Sequence, residues 1–163
     1  MTGKTHLSGG LAVAAIVSMA KQLPLEQGMV CIVGCAIGSL IPDIDHRGST
    51  IGRRMKPIST VASAVAGHRS FFHWFLLYLL LTVGVHFWHP EFDLLAQSVL
   101  AGILSHLFLD ALTPAGIPLV PKVKIHLMKI HTRSWGDRAL GTTLSLAATI
   151  CFIYWGLSMV RGY

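Results

Sequence analysis

Asp43, Asp45 and His46 follow directly on an apolar run, in the string GSLIPDIDHRGS at 38–49. The chain has only 7 Asp and Glu among 163 residues, so two carboxylates and an imidazole set this close together read as a site rather than as solubilising decoration. His106 and Asp110 stand four residues apart in another apolar run, the spacing that places two side chains on one helical face where both can grip one ion. Pro42 bars Asp43 and Asp45 from continuing as ordinary helix, which leaves both carboxylates able to turn toward a shared site and bridge two metals. A bare group of carboxylates at a membrane is repulsive and desolvated, and a divalent cation removes that penalty. His and Asp together suit zinc first and manganese second.

The elements that must position these groups are apolar. Hydrophobic residues make up 53% of the chain and charged residues 12%. With a mean hydropathy of +0.62, against a charged fraction of about a quarter in soluble domains, this is the composition of a membrane protein. The expected fold is an all-α, multi-pass bundle of about five transmembrane or membrane-embedded helices, forming a single domain over 1–163. Phe71 to Trp88, Leu94 to Leu112 and Ala139 to Val160 are long enough, at about 1.5 Å per residue, to cross most of a hydrocarbon core of about 30 Å. Leu7 to Ala20 and Leu25 to Ile41 are shorter and interrupted by glycines, as thin spans, tilted helices or a buried hairpin would be. Between the second and third helices, Ile51, Met55, Ile58, Val61 and Val65 recur every three or four residues beside Arg53, Arg54 and Lys56, the pattern of an amphipathic helix lying on an anionic leaflet.

The net charge of +6 could suggest nucleic acid, but the basic residues are confined to short segments between apolar runs, which membrane topology explains. With the N-terminus in the cytoplasm, 11 of the 13 Lys and Arg residues fall on the cytoplasmic side, and only Lys21 and Arg161 on the other. That orientation puts His6, Asp43, Asp45, His46, His68, His73, His106 and Asp110 all at cytoplasmic helix ends, because odd-numbered helices start there and even-numbered helices finish there. Other features carry plainer readings. His86 and His89 flank Trp88 as interfacial anchors, His126 and His131 sit among lysines facing lipid headgroups, and Cys31, Cys35 and Cys151 are small buried hydrophobes. Gly34 and Gly38 allow close helix approach, Thr113 to Pro118 forms an extended loop beside the proposed metal, and Trp135 to Arg138 makes a turn before the last helix.

Four blocks carry a family resemblance: GKTHLSGG (3–10), LIPDIDHRGSTIG (40–52), GHRSFFHW (67–74) and SHLFLDALTPAGIPL (105–119). In this order they resemble the bacterial membrane-bound metal-dependent hydrolases, including the SOS-regulated inner-membrane type. Their ligand pattern is distantly similar to that of zinc-dependent phospholipase C. The resemblance implies a metal set of His6, Asp43, Asp45, His46, His68, His73, His106 and Asp110, holding one to three divalent ions, and phosphoester hydrolysis. Ser70, Phe72 and Trp74 depart from the Gly, Thr and Ser expected near the second histidine of the third block.

The expected function is metal-assisted hydrolysis at the cytoplasmic leaflet of the bacterial inner membrane, with a phospholipid or lipid-linked phosphoester as substrate. Asp43 or Asp45 would bridge ions or act as general base, and Arg53, Arg69 and Arg138 are the candidates for the substrate phosphate. Membrane lipid is the expected partner and nucleic acid is not. Two other classes use the same ligands: a metal-stabilised scaffold without catalysis, and a metal-ion transporter, which would carry polar residues near the bilayer middle.

Overall fold

Thr2 opens the first helix by accepting a hydrogen bond from the Thr5 backbone N–H at 3.4 Å, one of the donors a helix start leaves without an intrahelical partner. The computed structural model describes residues 1–45, 75–120 and 123–161. Among these described residues five α-helices follow one another: α1 (Gly3–Ala20), α2 (Leu25–Gly38), α3 (Phe75–Trp88), α4 (Asp93–Ala111) and α5 (Trp135–Arg161). A short 3-10 turn, Ile41–Asp45, follows α2, another, Pro90–Phe92, precedes α4, and a two-stranded antiparallel hairpin, β1 (Ile117–Val120) and β2 (Val123–Ile125), follows α4. The predicted amphipathic helix over 51–65 lies outside the described residues.

Among the described residues, three helical segments are long and apolar enough to cross a membrane: Leu25–Ile44, Pro90–Ala111 and Trp135–Arg161. The expected long spans therefore hold for α4 and α5. The third expected span is represented by the shorter α3, and Phe71 to Trp74 lie outside the described residues. Instead the glycine-rich second helix qualifies. Its glycines do not interrupt it because they are packing surfaces: a side chain at Gly38 would run into the backbone of Val99, and one at Gly102 of α4 into the backbone of Cys35. Apolar side chains gain little by leaving lipid for one another, so small residues that let two backbones approach hold such helices together.

α1 is the hub. It packs against α2, α4 and α5, and α4 in turn packs against α1, α2 and α3. Its buried positions are small or polar: Thr5, His6, Gly9, Gly10, Ala12, Ala14, Ala15 and Ser18. That composition explains why α1 is absent from the long apolar helices, since it faces protein more than lipid. Cys31 and Cys35 are free and buried beside Ala14 and Leu23, as small hydrophobes. At the far end of the bundle, the Trp155 indole N–H of α5 donates to the Leu23 carbonyl at 2.9 Å, tying the last helix to the α1–α2 turn.

The loop after α4 is more ordered than its prolines suggest. It forms the hairpin, and the Leu127 and Ile130 N–H groups return to donate to the Ala111 and Leu112 carbonyls at 2.7 and 3.0 Å. These bonds satisfy carbonyls that the end of α4 would otherwise leave open, one residue from Asp110.

Gly38→Val and Gly102→Val are expected to lower stability in detergent unfolding by about 1–3 kcal/mol each or more, through overpacking. Gly156→Ala, which meets nothing within 4 Å, leaves it unchanged.

Candidate metal centre

The start of α1, the end of α4, the residues after α2 and the start of α5 meet at one end of the bundle. There His6, His106 and Asp110 offer ligand atoms that all lie within 4.8 Å of one another, the one such group of three or more among the described residues. His6 Nε2 stands 3.3 Å from Asp110 Oδ1 and His106 Nε2 3.4 Å from Asp110 Oδ2. The two imidazoles are stacked, with centroids 3.7 Å apart and planes 15° from parallel. Both are buried, at 1% and 0% exposure, and Asp110 is nearly so.

The hydrogen bond behind His106 decides what faces the carboxylate. His106 Nδ1 lies 2.8 Å from the Ser39 carbonyl oxygen, which can only accept, so Nδ1 carries the proton. A neutral His106 then turns the lone pair of Nε2 toward Asp110 Oδ2. Lone pair and carboxylate repel unless a cation, either a proton or a metal ion, lies between them. Metal-bound histidines typically donate their other N–H to a carbonyl or carboxylate in this way. Two protonated rings stacked this closely would also repel each other.

The donor set fits zinc. Two imidazole nitrogens and a carboxylate oxygen are ligand types that zinc takes, and one such atom from each residue lies within 4.8 Å of the others. His6 Nδ1 is buried with no hydrogen-bond partner among the described residues, a donor or acceptor left to be satisfied. The Met1 ammonium lies 2.9 Å from Asp110 Oδ1, so this carboxylate already draws positive charge.

The other predicted site residues fall differently. Asp43 lies half-buried in the 3-10 turn after α2, four residues beyond Ser39, and is not one of the three converging ligands. Asp45 closes the same turn. His46, Arg53, His68, Arg69 and His73 lie outside the described residues. Arg138 is exposed in the first turn of α5. His126 and His131 are exposed in the loop after β2, while His86 and His89 sit at the end of α3, within 3.3 Å of Asp93 and 3.1 Å of Glu91.

Asp137 has a larger role than a turn residue. It is fully buried, and its Oδ1 accepts from the Thr5 hydroxyl at 2.7 Å while Oδ2 accepts from the Arg133 N–H at 2.7 Å. Ser134 Oγ accepts from the Asp137 N–H at 3.3 Å, so Ser134 and Asp137 close the start of α5 much as a capping box does. The same carboxylate clamps α5 to α1 one residue from His6. The Ser-x-x-Asp spacing ahead of an apolar run was the available signal.

These features define a multi-pass helical membrane protein with a buried His/His/Asp group at one end of the bundle. The chain belongs to the YdjM inner membrane protein family, which it matches over residues 1–163. It is 34% identical over 160 residues to uncharacterized protein YvsG of Bacillus subtilis, covering 96% of both chains. It is also 37% identical over 128 residues to inner membrane protein YdjM of Escherichia coli, covering 74% of this chain and 65% of the relative. No solved structure matches it. The relatives' names assign no activity, so the family supports the membrane reading and leaves hydrolysis to the chemistry of the site.

Removing the clamp should be costly. Asp137→Ala leaves the Thr5 hydroxyl and Arg133 N–H without their acceptor and is expected to cost about 2–4 kcal/mol, since hydrogen bonds to a charged group contribute about 1.5–3 kcal/mol each. Thr5→Val should cost less, and the double variant less than the sum, in unfolding by denaturant in mixed micelles.

Proposed function

We propose that this protein is a metal-dependent hydrolase of the bacterial inner membrane, with a zinc centre built on His6, His106 and Asp110. Its substrate class is a phospholipid or lipid-linked phosphoester presented at the membrane face beside that end of the bundle. The distribution of Lys and Arg supports a cytoplasmic position for that face.

The observation that carries this reading is the Ser39–His106–Asp110 relay, in which a backbone carbonyl fixes the proton on one ring nitrogen and commits the other to the carboxylate side. Three protein ligands are the usual complement of a catalytic zinc, which keeps a further position for water or substrate. When bound, zinc lowers the pKa of a coordinated water toward neutrality and polarises a phosphoryl oxygen.

The chain's own residues supply the rest. Asp110 would contribute the negative charge that selects a divalent cation, and His6 and His106 would hold it through ring nitrogens. Asp43 or Asp45, in the turn after α2, is assigned the proton of the attacking water. Arg138, exposed at the start of α5, is available to the phosphate of a lipid headgroup. His46, His68 and His73 complete the ligand set that the sequence pattern implies.

A second reading, a metal-stabilised scaffold, is favoured by the burial of both imidazoles, since closed sites are characteristically structural.

Elemental analysis of purified protein is expected to find about one zinc or more per chain, and at least one fewer in His106→Ala and Asp110→Ala. No metal in the unmutated protein rejects the centre. Incubation with dioleoylphosphatidylglycerol vesicles should release a phosphate-bearing product, stop on chelation and resume on zinc addition. Bound metal with no lipid product selects the scaffold.

A further inference from the structure

Between α3 and α4 the two facing stripes meet where Tyr78 packs with Ile103 and Leu107, and part company beyond it. Tyr78, Leu81 and Val85 from α3 and Ala96, Val99 and Ile103 from α4 instead line an open groove with a cavity volume of about 460 Å³. The walls are almost wholly apolar. The Thr82 hydroxyl, also in the lining, is turned back onto the Tyr78 carbonyl at 2.9 Å. Water gains nothing in such a groove, and leaving it empty forfeits dispersion contacts along both helices.

Its dimensions choose the occupant. Along α4 the lining runs from Phe92 to Ile103, eleven steps at about 1.5 Å each, or roughly 16 Å. That is about half of a hydrocarbon core of about 30 Å, the depth of one leaflet. An apolar groove as long as one leaflet is deep suits a single extended hydrocarbon chain.

Its ends give the direction. One end is at His89 and Phe92, where α3 finishes beside the exposed Trp88, the exposed His86 paired with half-buried Asp93, and the exposed His89–Glu91 pair, polar groups of the kind found at headgroup level. The other end closes on Ile41, Tyr78 and Ile103, which belong to an apolar cluster with Leu107. Ile103 is one helical turn before His106, at the opposite end of α4 from the mouth.

We infer that the α3–α4 groove is a lipid-binding site that takes one acyl chain of a phospholipid from the leaflet at the Trp88–His89 end, with its headgroup at that rim and its tail end toward Ile103. The bound chain fills the gap between two helices whose own side chains do not close it. This site is separate from the metal centre and does not depend on it.

The test uses the full chain, purified and delipidated in maltoside micelles, then titrated with 1-palmitoyl-2-oleoyl-phosphatidylethanolamine. Native mass spectrometry is expected to find one retained lipid per chain, and the melting temperature to rise on lipid addition. Ala96→Trp, which fills the groove, should reduce retention about tenfold and remove the rise. Ala96→Leu should give an intermediate loss, separating occlusion from misfolding. Leu104→Trp, on the exposed side of α4, should retain the lipid. Chelator should leave retention unchanged, so failure here is distinct from failure of the metal reading. Equal retention by Ala96→Trp and unmutated protein, absence of retained lipid, or a second copy of the chain retained in its place would each overturn the inference.

Discussion

An ionised carboxylate at the end of an apolar helix must find positive charge or give up its own. Asp110 is that carboxylate, and the architecture around it is organised to meet the requirement. Two imidazoles lie within 3.3 and 3.4 Å of it, one from α1 and one from α4 itself, and the Met1 ammonium is 2.9 Å away. The Ser39 carbonyl sets which ring nitrogen of His106 is left to face it. Because that carbonyl comes from the end of α2, the polarity of the site depends on how closely α2 approaches α4. The approach depends in turn on Gly38 and Gly102, where no side chain would fit.

The same dependence runs through α1. His6 reaches Asp110 only because α1 lies among α2, α4 and α5, and α1 can lie there because its buried positions are glycine, alanine, serine and threonine. Asp137 holds the α1 start from the side of α5, through the hydroxyl of the residue next to His6. A polar residue that would be a liability against lipid is here sealed by another helix, and each seal adds a directional constraint that apolar packing lacks.

Some of this could be read directly from residues and some could not. His106 and Asp110 were legible because four-residue spacing on an apolar helix has few other uses. His6 was legible only through topology, by alternating helices and noting which ends coincide. The Ser39 carbonyl was not, since any residue supplies a carbonyl and only folding says which one faces a ring. Asp137 had a capping pattern, but nothing in its neighbours indicated that Thr5, 132 residues away, would share it. The second helix read as doubtful because hydropathy penalises glycine, although in a bundle glycine marks where backbones meet. α1 departs for a related reason: hydropathy reports exposure to lipid, and α1 is mostly enclosed by protein. The hairpin after α4 was hidden by prolines that argue against regular pairing, and its strands are short and bulged.

Chains are synthesised from the amino end, and α1 is complete long before α5 exists. The Thr5–Asp137 bond therefore joins the first helix to the last, so the polar beginning of α1 stays unsealed through most of biogenesis. Closure of this end of the bundle thus reports that the last helix has arrived, and a chain halted after α4 would carry both imidazoles and Asp110 but lack the latch that holds them in register.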